Sequence, residues 1–347
     1  MPSETFPNFD KKHLVKMKLI AICRVRNEAD IIEAFVRHHA VYFNKLLVLD
    51  DGSCDGTYET LQALQAEGLP LVILQEPIIG YEQSRQMSRL LQIAVHQFGA
   101  DWIAPLDADE FVEPDDGMTL TEILAKQKEE LVSLGWTDFV WPPENDDEAE
   151  TNPVVRLRRR LLPRPDHRKL LIPASLVDEK TQISQGNHDM FRNGRPLAHR
   201  PLESIALAHF PIRSVGQYAS KIAIGYLQYS AMPKHDRNAG FHYREPFQVL
   251  MTGGLDALKI RMPMDSRRYS DAKGRTQGLT VEPQNNPLRY QGGALKFPSS
   301  TTSYLQNILH CAEAIARERS ENMRELSVAR QRLNFWPIRQ ARRFFRS

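Results

Sequence analysis

The sequence predicts an α/β fold in which helices cover both faces of a mainly parallel, doubly wound sheet. Over residues 19–106, four apolar runs of strand length alternate with segments whose apolar residues recur at helical spacing. These strands lack the polar–apolar alternation of a half-exposed sheet, which favours helices on both faces. Acidic residues follow the second and fourth strands, at the end where open α/β sheets bind ligands.

Each element has its own signal in the sequence. The first four predicted strands are Leu19 to Val25, Leu46 to Leu49, Leu71 to Leu74 and Trp102 to Leu106. The helices between them carry apolar stripes that begin near Ile31, Tyr58 and Met87. Further along we expect a helix over 120–134, strands over 138–141 and 169–176, and helices over 217–232 and 304–330.

These elements imply a main domain with additions at both ends. We expect a leader over 1–16, a main domain over 17–230 with halves 17–113 and 114–230, an irregular region over 231–303, and a C-terminal helix with a basic, aromatic tail over 304–347. Residues 233–300 are rich in Pro, Gly, Asn and Arg and show little periodicity. We expect them to wrap the core or to form a loop on the acceptor side.

Composition excludes several classes of protein. The chain has 347 residues, 41% of them hydrophobic, and a net charge of +2 that predicts no nucleic-acid partner. Its three cysteines form no Cys-x-x-Cys pair, which argues against a disulfide framework or a zinc site and for a reducing compartment. The N-terminus lacks the pattern of a signal peptide, and no apolar run approaches the ~18 residues of a membrane span. We therefore expect a cytoplasmic protein.

The segment Asp107-Ala108-Asp109-Glu110 directly follows the apolar strand that begins at Trp102. Three carboxylates so close together repel one another when buried, and a hard divalent cation such as Mg²⁺ or Mn²⁺ would remove that penalty. The alternative is a solvated acidic turn. A second polar cluster, from Asp50 to Thr57, follows the second strand, so both clusters are expected to converge on one ligand.

Three motifs together resemble glycosyltransferase family 2, whose Rossmann-like fold is called GT-A. They are Arg24-Val-Arg-Asn27-Glu28, Leu49-Asp-Asp-Gly-Ser-Cys-Asp-Gly-Thr57 and Leu106-Asp-Ala-Asp-Glu-Phe111. Gly186-Asn-His188 and His209-Phe-Pro-Ile-Arg-Ser214, followed by Lys221 and Gly225, resemble a bacterial branch of that family with an Asp-Ala-Asp-Glu core. The resemblance covers about residues 17–230.

The resemblance implies a nucleotide-diphosphate sugar as donor, inversion at the anomeric carbon, and Mn²⁺ or Mg²⁺. By the same resemblance, Asp51 contacts the nucleobase, Arg24, Asn27 and Glu28 lie near the nucleoside, Asp107 reaches the ribose, the sugar or the metal, and Asp109 binds the metal. Arg85 could place the pyrophosphate; the alternative is a solvated arginine on a helix.

Two assignments follow less directly from the family pattern. Either His188 or His209 could bind the metal, and we favour His209 because Phe210-Pro211 would hold its ring. For the catalytic base we expect Asp189, with Glu144 and Asp178 as alternatives, since no acidic pair follows the Asp-x-Asp motif.

Two other functions would also fit parts of the pattern. A haloacid-dehalogenase-like phosphatase places Asp-x-Asp after its first strand, but three strands come first here and Phe111 stands where that class has Thr. A catalytically inactive nucleotide-sugar-binding or scaffolding protein would keep Asp51 and Asp109 without a usable base.

The expected partners are a nucleotide sugar and a glycan or lipid-linked acceptor in bacterial surface glycan synthesis. The tail alternates aromatic residues, such as Phe335 and Trp336, with several arginines. This composition suits a peripheral contact at the inner face of a membrane. The alternative is a tail that docks on its own domain or on a second subunit.

Overall fold

The computed structural model describes residues 17–78, 82–115, 117–142, 150–161, 168–231, 241–269, 282–297, 304–321 and 324–325. The predicted leader, Glu144 and the basic, aromatic tail lie outside the described residues. The strands are β1 (Leu19–Val25), β2 (Lys45–Asp50), β3 (Leu71–Gln75), β4 (Trp102–Asp107), β5 (Glu110–Pro114), β6 (Val132–Asp138), β7 (Arg159–Arg160), β8 (Arg168–Pro173), β9 (Thr181–Ile183), β10 (Met190–Arg192), β11 (Arg195–Pro196), β12 (Arg200–His209) and β13 (Gln284–Asn285). The helices are α1 (Ile32–His39), α2 (Thr57–Ala66), α3 (Gln83–His96), α4 (Leu120–Leu124), α5 (Pro153–Arg156), α6 (Val215–Ala231) and α7 (Phe241–Arg267), with another over 304–321.

The main sheet has eight strands in the order β3-β2-β1-β4-β8-β6-β12-β5. The first four strands in this order run parallel to one another, and β6 runs parallel to β12. β8 is antiparallel to both of its neighbours, and β5 is antiparallel to β12. The predicted α/β class with a mainly parallel sheet is therefore confirmed.

Helices cover both faces of this sheet. Alternate residues of β1 belong to different apolar clusters, because successive side chains of a strand point to opposite faces. Leu19 and Ala21 pack with residues of α1 and α2, whereas Ile20 and Ile22 pack with residues of α3. The sheet is thus doubly wound, as the unbroken apolar strands predict.

The predicted helix over 120–134 is wrong beyond residue 124. Thr119 and Glu122 form a capping box at the start of α4, but this helix ends at Leu124. The apolar residues that follow belong to β6, all of whose residues are buried between β8 and β12. The strand predicted over 138–141 therefore lies about six residues too late. Periodicity alone does not separate a short buried strand from a buried helix.

The irregular region predicted over 231–303 is also wrong in part, because α7 occupies much of it. This helix contains Pro246 and Pro263, and the backbone at Gly254 leaves helical geometry, with φ 68° and ψ −160°. These interruptions break the apolar stripe by which a helix is recognised in sequence.

By its internal contacts the chain divides into two compact units. The first comprises Met1–Glu76, Glu82–Pro211 and Met264–Ser299; the second comprises Pro77–Tyr81, Ile212–Pro263 and Ser300–Ser347. Residue 230, where the predicted main domain ends, lies within α6. None of the helices in the described part of the chain is both long and apolar enough to cross a membrane.

A C-terminal strap, which we define as residues 282–297, packs on the first unit. The backbone N–H groups of Lys296 and Phe297 donate to the carboxylate of Glu33 on α1, at 2.7 and 2.8 Å. Leu288 is buried in the same apolar cluster as α1. Residues 282–297 therefore pack against the core, one of the two arrangements considered for the longer region 233–300.

His38 on α1 links the strap to the sheet. Its Nε2 lies 2.9 Å from the carbonyl oxygen of Val112, and its Nδ1 lies 3.2 Å from the backbone nitrogen of Gln291, which donates to it. The ring is therefore neutral, with its proton on Nε2. Burial lowers the pKa of His38 to about 4, against a weaker opposing effect of the Val112 hydrogen bond.

Because His38 is buried and its pKa is lowered, we expect the protein to lose stability in acid. The pKa of His38 is lower in the folded than in the unfolded chain, so its contribution is present above about pH 6.5 and is lost as the pH falls towards 4. Between pH 7.5 and 5 we expect His38→Gln to lose about 2 kcal/mol less unfolding free energy than the wild type. Urea unfolding at both pH values measures this difference. The exposed His96→Gln is the control; an equal pH dependence of wild type and His38→Gln would contradict the assignment.

Candidate active site

Asp51 directly follows β2 and belongs to the predicted nucleotide-binding site. Its side chain is fully buried and is paired with the guanidinium groups of Arg24 and, at 3.4 Å, Arg26. Gln86 of α3 donates to Asp51 at 3.1 Å and accepts from Nε of Arg24 at 2.6 Å. The carboxyl ends of β1 and β2 thus bring Arg24 and Asp51 together, as the sequence predicts.

Asn27 and Glu28 join the loops that follow β1 and β2. Asn27 adopts a φ of 57°, a left-handed conformation that asparagine tolerates better than most residues. Its side-chain oxygen accepts a hydrogen bond from the backbone of Cys54 at 2.9 Å, and the backbone of Glu28 donates to Oγ1 of Thr57 at 2.8 Å. These contacts fix the two loops beside Asp51.

The three carboxylates of the Asp-Ala-Asp-Glu segment have different partners. The ammonium group of Lys169 lies 2.6 Å from Asp107 and 3.0 Å from Glu110. Oδ2 of Asp109 instead lies 3.7 Å from Nε2 of His209. Because Asp109 and Glu110 are buried, the alternative of a solvated acidic turn is excluded.

The protein's own lysine offsets much of the repulsion among these carboxylates. Burial lowers the pKa of Lys169, but Asp107 and Glu110 outweigh that effect and hold it above its ordinary value. Burial also raises the pKa of Glu110 to about 7, although the charge of Lys169 opposes this shift. The ammonium group of Lys169 therefore supplies a positive charge at this end of the sheet.

His209, the last residue of β12, lies beside Asp109 and Asp138. Its Nδ1 is 2.6 Å from Oδ1 of Asp138, the last residue of β6, which leaves Nε2 facing Asp109. Burial would lower the pKa of His209, but the carboxylates of Asp109 and Asp138 raise it well above its ordinary value. The rings of Trp136 and Tyr269 lie against the imidazole, with centroids 5.3 and 5.5 Å away.

Asp109 and His209 fit a divalent cation as two of its ligands. A histidine ligand usually gives its second nitrogen to a carboxylate, which fixes the ring, and Asp138 supplies that contact. Among the described residues, no group of three or more His, Cys, Asp or Glu side chains is arranged to hold a metal. The remaining positions around an ion here would thus belong to ligand oxygens or water.

Asp107 does not join this pair. Besides Lys169, it accepts hydrogen bonds from Gln83 at 3.1 Å and from Asn187 at 3.3 Å. Nδ1 of His188 lies 2.9 Å from the carbonyl oxygen of Arg168. Of the two candidate histidines, the geometry favours His209.

The candidates for the catalytic base have different surroundings. Asp189 is exposed and lies two residues after Asn187, which contacts Asp107. Asp178 accepts from Oγ1 of Thr181 at 2.9 Å and pairs with Arg192 at 3.2 Å. The Thr181 hydrogen bond is the largest effect that lowers the pKa of Asp178, which makes this carboxylate a weaker base.

Arg85 lies on the surface at the start of α3. Its side chain is 54% exposed and pairs with Glu76 at 2.6 Å and Glu82 at 2.5 Å. No described contact joins it to Asp107 or Asp109. These contacts favour the alternative interpretation, in which Arg85 is a solvated arginine on a helix.

Five residues of the site were missed from sequence: Gln83, Gln86, Asp138, Lys169 and Asn187. Lys169 carried a signal, because a lysine stands at the start of the apolar run Leu170-Leu171-Ile172. Asp138 follows an apolar stretch in the same way as Asp107 does. Gln83 had no comparable signal.

Part of the chain is similar in sequence to known proteins. The family model described as "Glycosyl transferase family 2" matches residues 21–173. The lipopolysaccharide core biosynthesis glycosyltransferase LpsC of Rhizobium meliloti (strain 1021) is 28% identical over 166 residues, which are 46% of this chain and 54% of LpsC. The chain thus spans about half the length of this curated relative.

Two solved structures also align with the chain. The mannosyltransferase PcManGT from Pyrobaculum calidifontis, in complex with GDP-Man and Mn²⁺, has 14% identity and a TM-score of 0.37, over 75% of this chain and 79% of that chain. S. aureus TarS 1–349 in complex with UDP has 13% identity and a TM-score of 0.36, over 80% and 99% of the respective chains. In sequence, residues 21–173 match the model of glycosyl transferase family 2, and 166 residues of the chain are similar to a curated glycosyltransferase.

Proposed function

We propose that this protein transfers a sugar from a nucleotide-diphosphate sugar to an acceptor hydroxyl, with Mn²⁺ or Mg²⁺ as cofactor. The observation that carries the proposal is the contact of Asp109 with a histidine that Asp138 holds in place, at the carboxyl ends of β4, β6 and β12. Ligands of α/β sheets bind at this edge. Asp51 and Arg24 lie at the same edge, after β2 and within β1.

Each side chain has a role in this proposal. Asp51 and Arg24 form the nucleotide subsite, and Asp107 accepts a hydrogen bond from the sugar or ribose. Asp109 and His209 would hold the cation, which when bound neutralises the negative charge that develops on the leaving diphosphate. Asp138 fixes the tautomer and the orientation of His209.

Inversion at the anomeric carbon needs a base that removes the proton of the acceptor hydroxyl. We propose Asp189, whose carboxylate is exposed next to the segment that contacts Asp107. An exposed group can meet an acceptor that enters from solvent. Asp178 is already engaged by Thr181 and Arg192, which counts against it.

The acceptor we propose is a glycan of the bacterial cell surface, free or lipid-linked. The support is the similarity to LpsC, whose name places it in lipopolysaccharide core biosynthesis. Work at the inner face of the membrane would suit a lipid-linked acceptor.

A thermal-shift panel tests the function directly. The ligands are UDP-glucose, UDP-N-acetylglucosamine and GDP-mannose, each with and without Mn²⁺, and UDP and GDP alone. A ligand at a hundred times its dissociation constant stabilises the fold by about 2.7 kcal/mol, which is readily detected. We expect stabilisation by at least one nucleotide sugar that is larger with Mn²⁺. No shift with any of them would contradict the proposal.

Asp51→Asn should weaken binding of the nucleotide itself. The charged acceptor that holds Arg24 is lost, so we expect about tenfold lower affinity for UDP or GDP, whichever binds the wild type. Calorimetric titration measures it. Asp101→Asn is the matched control, since the exposed Asp101 accepts from the backbone of Lys18 just before β4 begins, at the amino end of that strand. Unchanged affinity in Asp51→Asn would leave Asp51 a structural residue only.

A further inference from the structure

Asp107 differs from the other carboxylates of its segment in exposure. Its side chain is 31% exposed, whereas those of Asp109 and Glu110 are 8% and 1% exposed. A ligand at this edge of the sheet can therefore reach Asp107 without any rearrangement. The carboxylate is also outside the Asp109–His209 pair.

Three side chains from separate parts of the chain fix the Asp107 carboxylate. Lys169 of β8 donates to Oδ2 at 2.6 Å, and Gln83 of α3 donates to Oδ1 at 3.1 Å. Asn187, between β9 and β10, donates to Oδ1 at 3.3 Å. The side-chain oxygen of Gln83 accepts from the backbone of Gly186 at 3.0 Å, which ties two of the three donors together.

Lys169 acts only through other residues. Its side chain is 2% exposed, and its ammonium group lies between Asp107 and Glu110 and 5.5 Å from the ring centroid of Trp136. A ligand in the site cannot contact it. Its direct effect is on the position and the charge of Asp107.

Asn187 is oriented for the same purpose. It is fully buried and holds a φ of 59°. Its amide nitrogen donates to Asp107, while its Oδ1 has no hydrogen-bond partner among the described residues. The nitrogen and the oxygen of a buried amide normally both have hydrogen-bond partners. The orientation of Asn187 gives Asp107 a donor but leaves Oδ1 of Asn187 without a partner among the described residues.

We infer that Lys169, Gln83 and Asn187 are positioning residues, which hold Asp107 so that the remaining lone pair of its Oδ2 accepts a hydrogen bond from a hydroxyl of the donor sugar. This inference rests on the proposed function. It divides the site in two: Asp107 and its three donors select the sugar, and Asp109 with His209 serves the diphosphate. A fixed acceptor favours donors with a hydroxyl at that place, because a donor without one leaves the carboxylate unpaired.

The test compares a nucleotide sugar with its own nucleoside diphosphate. UDP-glucose and UDP, and GDP-mannose and GDP, are titrated calorimetrically into wild type and Lys169→Met in the presence of Mn²⁺. We expect Lys169→Met to bind the nucleotide sugar about tenfold or more weakly, and the diphosphate within about twofold of the wild type. A purely structural role would lower both affinities together.

Two further variants and a control keep the test decisive. Lys169→Met leaves Asp107 and Glu110 without their cation, so Lys169→Met/Glu110→Gln, which removes one of the two charges, is measured beside it. Asn187→Gly removes one donor, and glycine adopts the positive φ readily; we expect the same split, with a smaller loss. Lys296→Met is the control, because the side chain of Lys296 is 61% exposed and pairs only with Glu67 in its described ion pairs.

The outcomes separate the two claims. Wild type that binds neither nucleotide sugars nor diphosphates overturns the proposed function. Wild type that binds both, with Lys169 and Asn187 variants that bind the sugar nucleotide equally well, overturns only the positioning of Asp107. An equal loss for sugar nucleotide and diphosphate in the folded variants also overturns it. If neither Lys169 variant folds, Asn187→Gly decides.

Discussion

Asp109→Asn should abolish metal-dependent binding of the donor and lower sugar transfer by at least about a hundredfold. The amide is a poor ligand for a hard cation, and His209 alone then remains of the proposed pair. The side chain is 8% exposed and of unchanged size, so the fold should persist.

Two measurements separate loss of metal from loss of fold. Electron paramagnetic resonance of free Mn²⁺ gives the affinity for the metal, and urea unfolding gives the stability. Asp115→Asn is the matched control, because Asp115 is exposed just beyond the end of β5. Full activity of Asp109→Asn at saturating donor would rule out the metal assignment.

Asp189→Asn should lower kcat by about a hundredfold to ten-thousandfold, the usual contribution of a general base. The affinity for donor should change little, since Asp189 makes no described side-chain contact with Asp51, Asp107 or Asp109. Steady-state kinetics with the donor identified by thermal shift measures kcat and KM separately.

Asp178→Asn and Glu144→Gln are the comparison variants for this assignment. Asp178 is engaged in the turn before β9, so its substitution should affect stability more than kcat. A large fall in kcat in one of these variants, with normal kcat in Asp189→Asn, would move the base to that residue.

The first half of the fold follows from sequence because its strands are apolar and neighbouring strands of the sheet are close together along the chain. β1, β2, β3 and β4 are unbroken apolar runs, and helices α1 to α3 have clear stripes between them. After β4 the sheet is assembled from distant segments, with β8 between β4 and β6. Local sequence patterns do not indicate the order of strands in a sheet.

The same reason explains which site residues could be foreseen. Asp51, Asp107 and Asp109 stand directly after apolar strands, where the sequence itself marks an edge of the sheet. Lys169 and Asp138 reach the site only because β8 and β6 insert between β4 and β12. Each of them borders an apolar stretch, but that local signal does not indicate which strands become neighbours in the sheet.

His209 is an intermediate case. The sequence supplied the histidine and the rigid Phe210-Pro211 after it, but not its neighbours. The pairing of β12 with β6 and β5 places His209 opposite Asp138 on one side and Glu110 on the other. This register, which the sequence does not indicate, places His209 beside Asp138.

Single-turnover release of nucleoside diphosphate from the nucleotide sugar that binds the wild type tests the central claim most directly. The protein is mixed with that donor and Mn²⁺, with EDTA in a parallel reaction, and free UDP or GDP is measured over time, with and without a lipopolysaccharide core acceptor. A metal-dependent glycosyltransferase releases the diphosphate with Mn²⁺, faster with acceptor, and not with EDTA. Donor binding without any release would identify an inactive binding protein, and release that EDTA leaves unchanged would contradict a metal at Asp109 and His209.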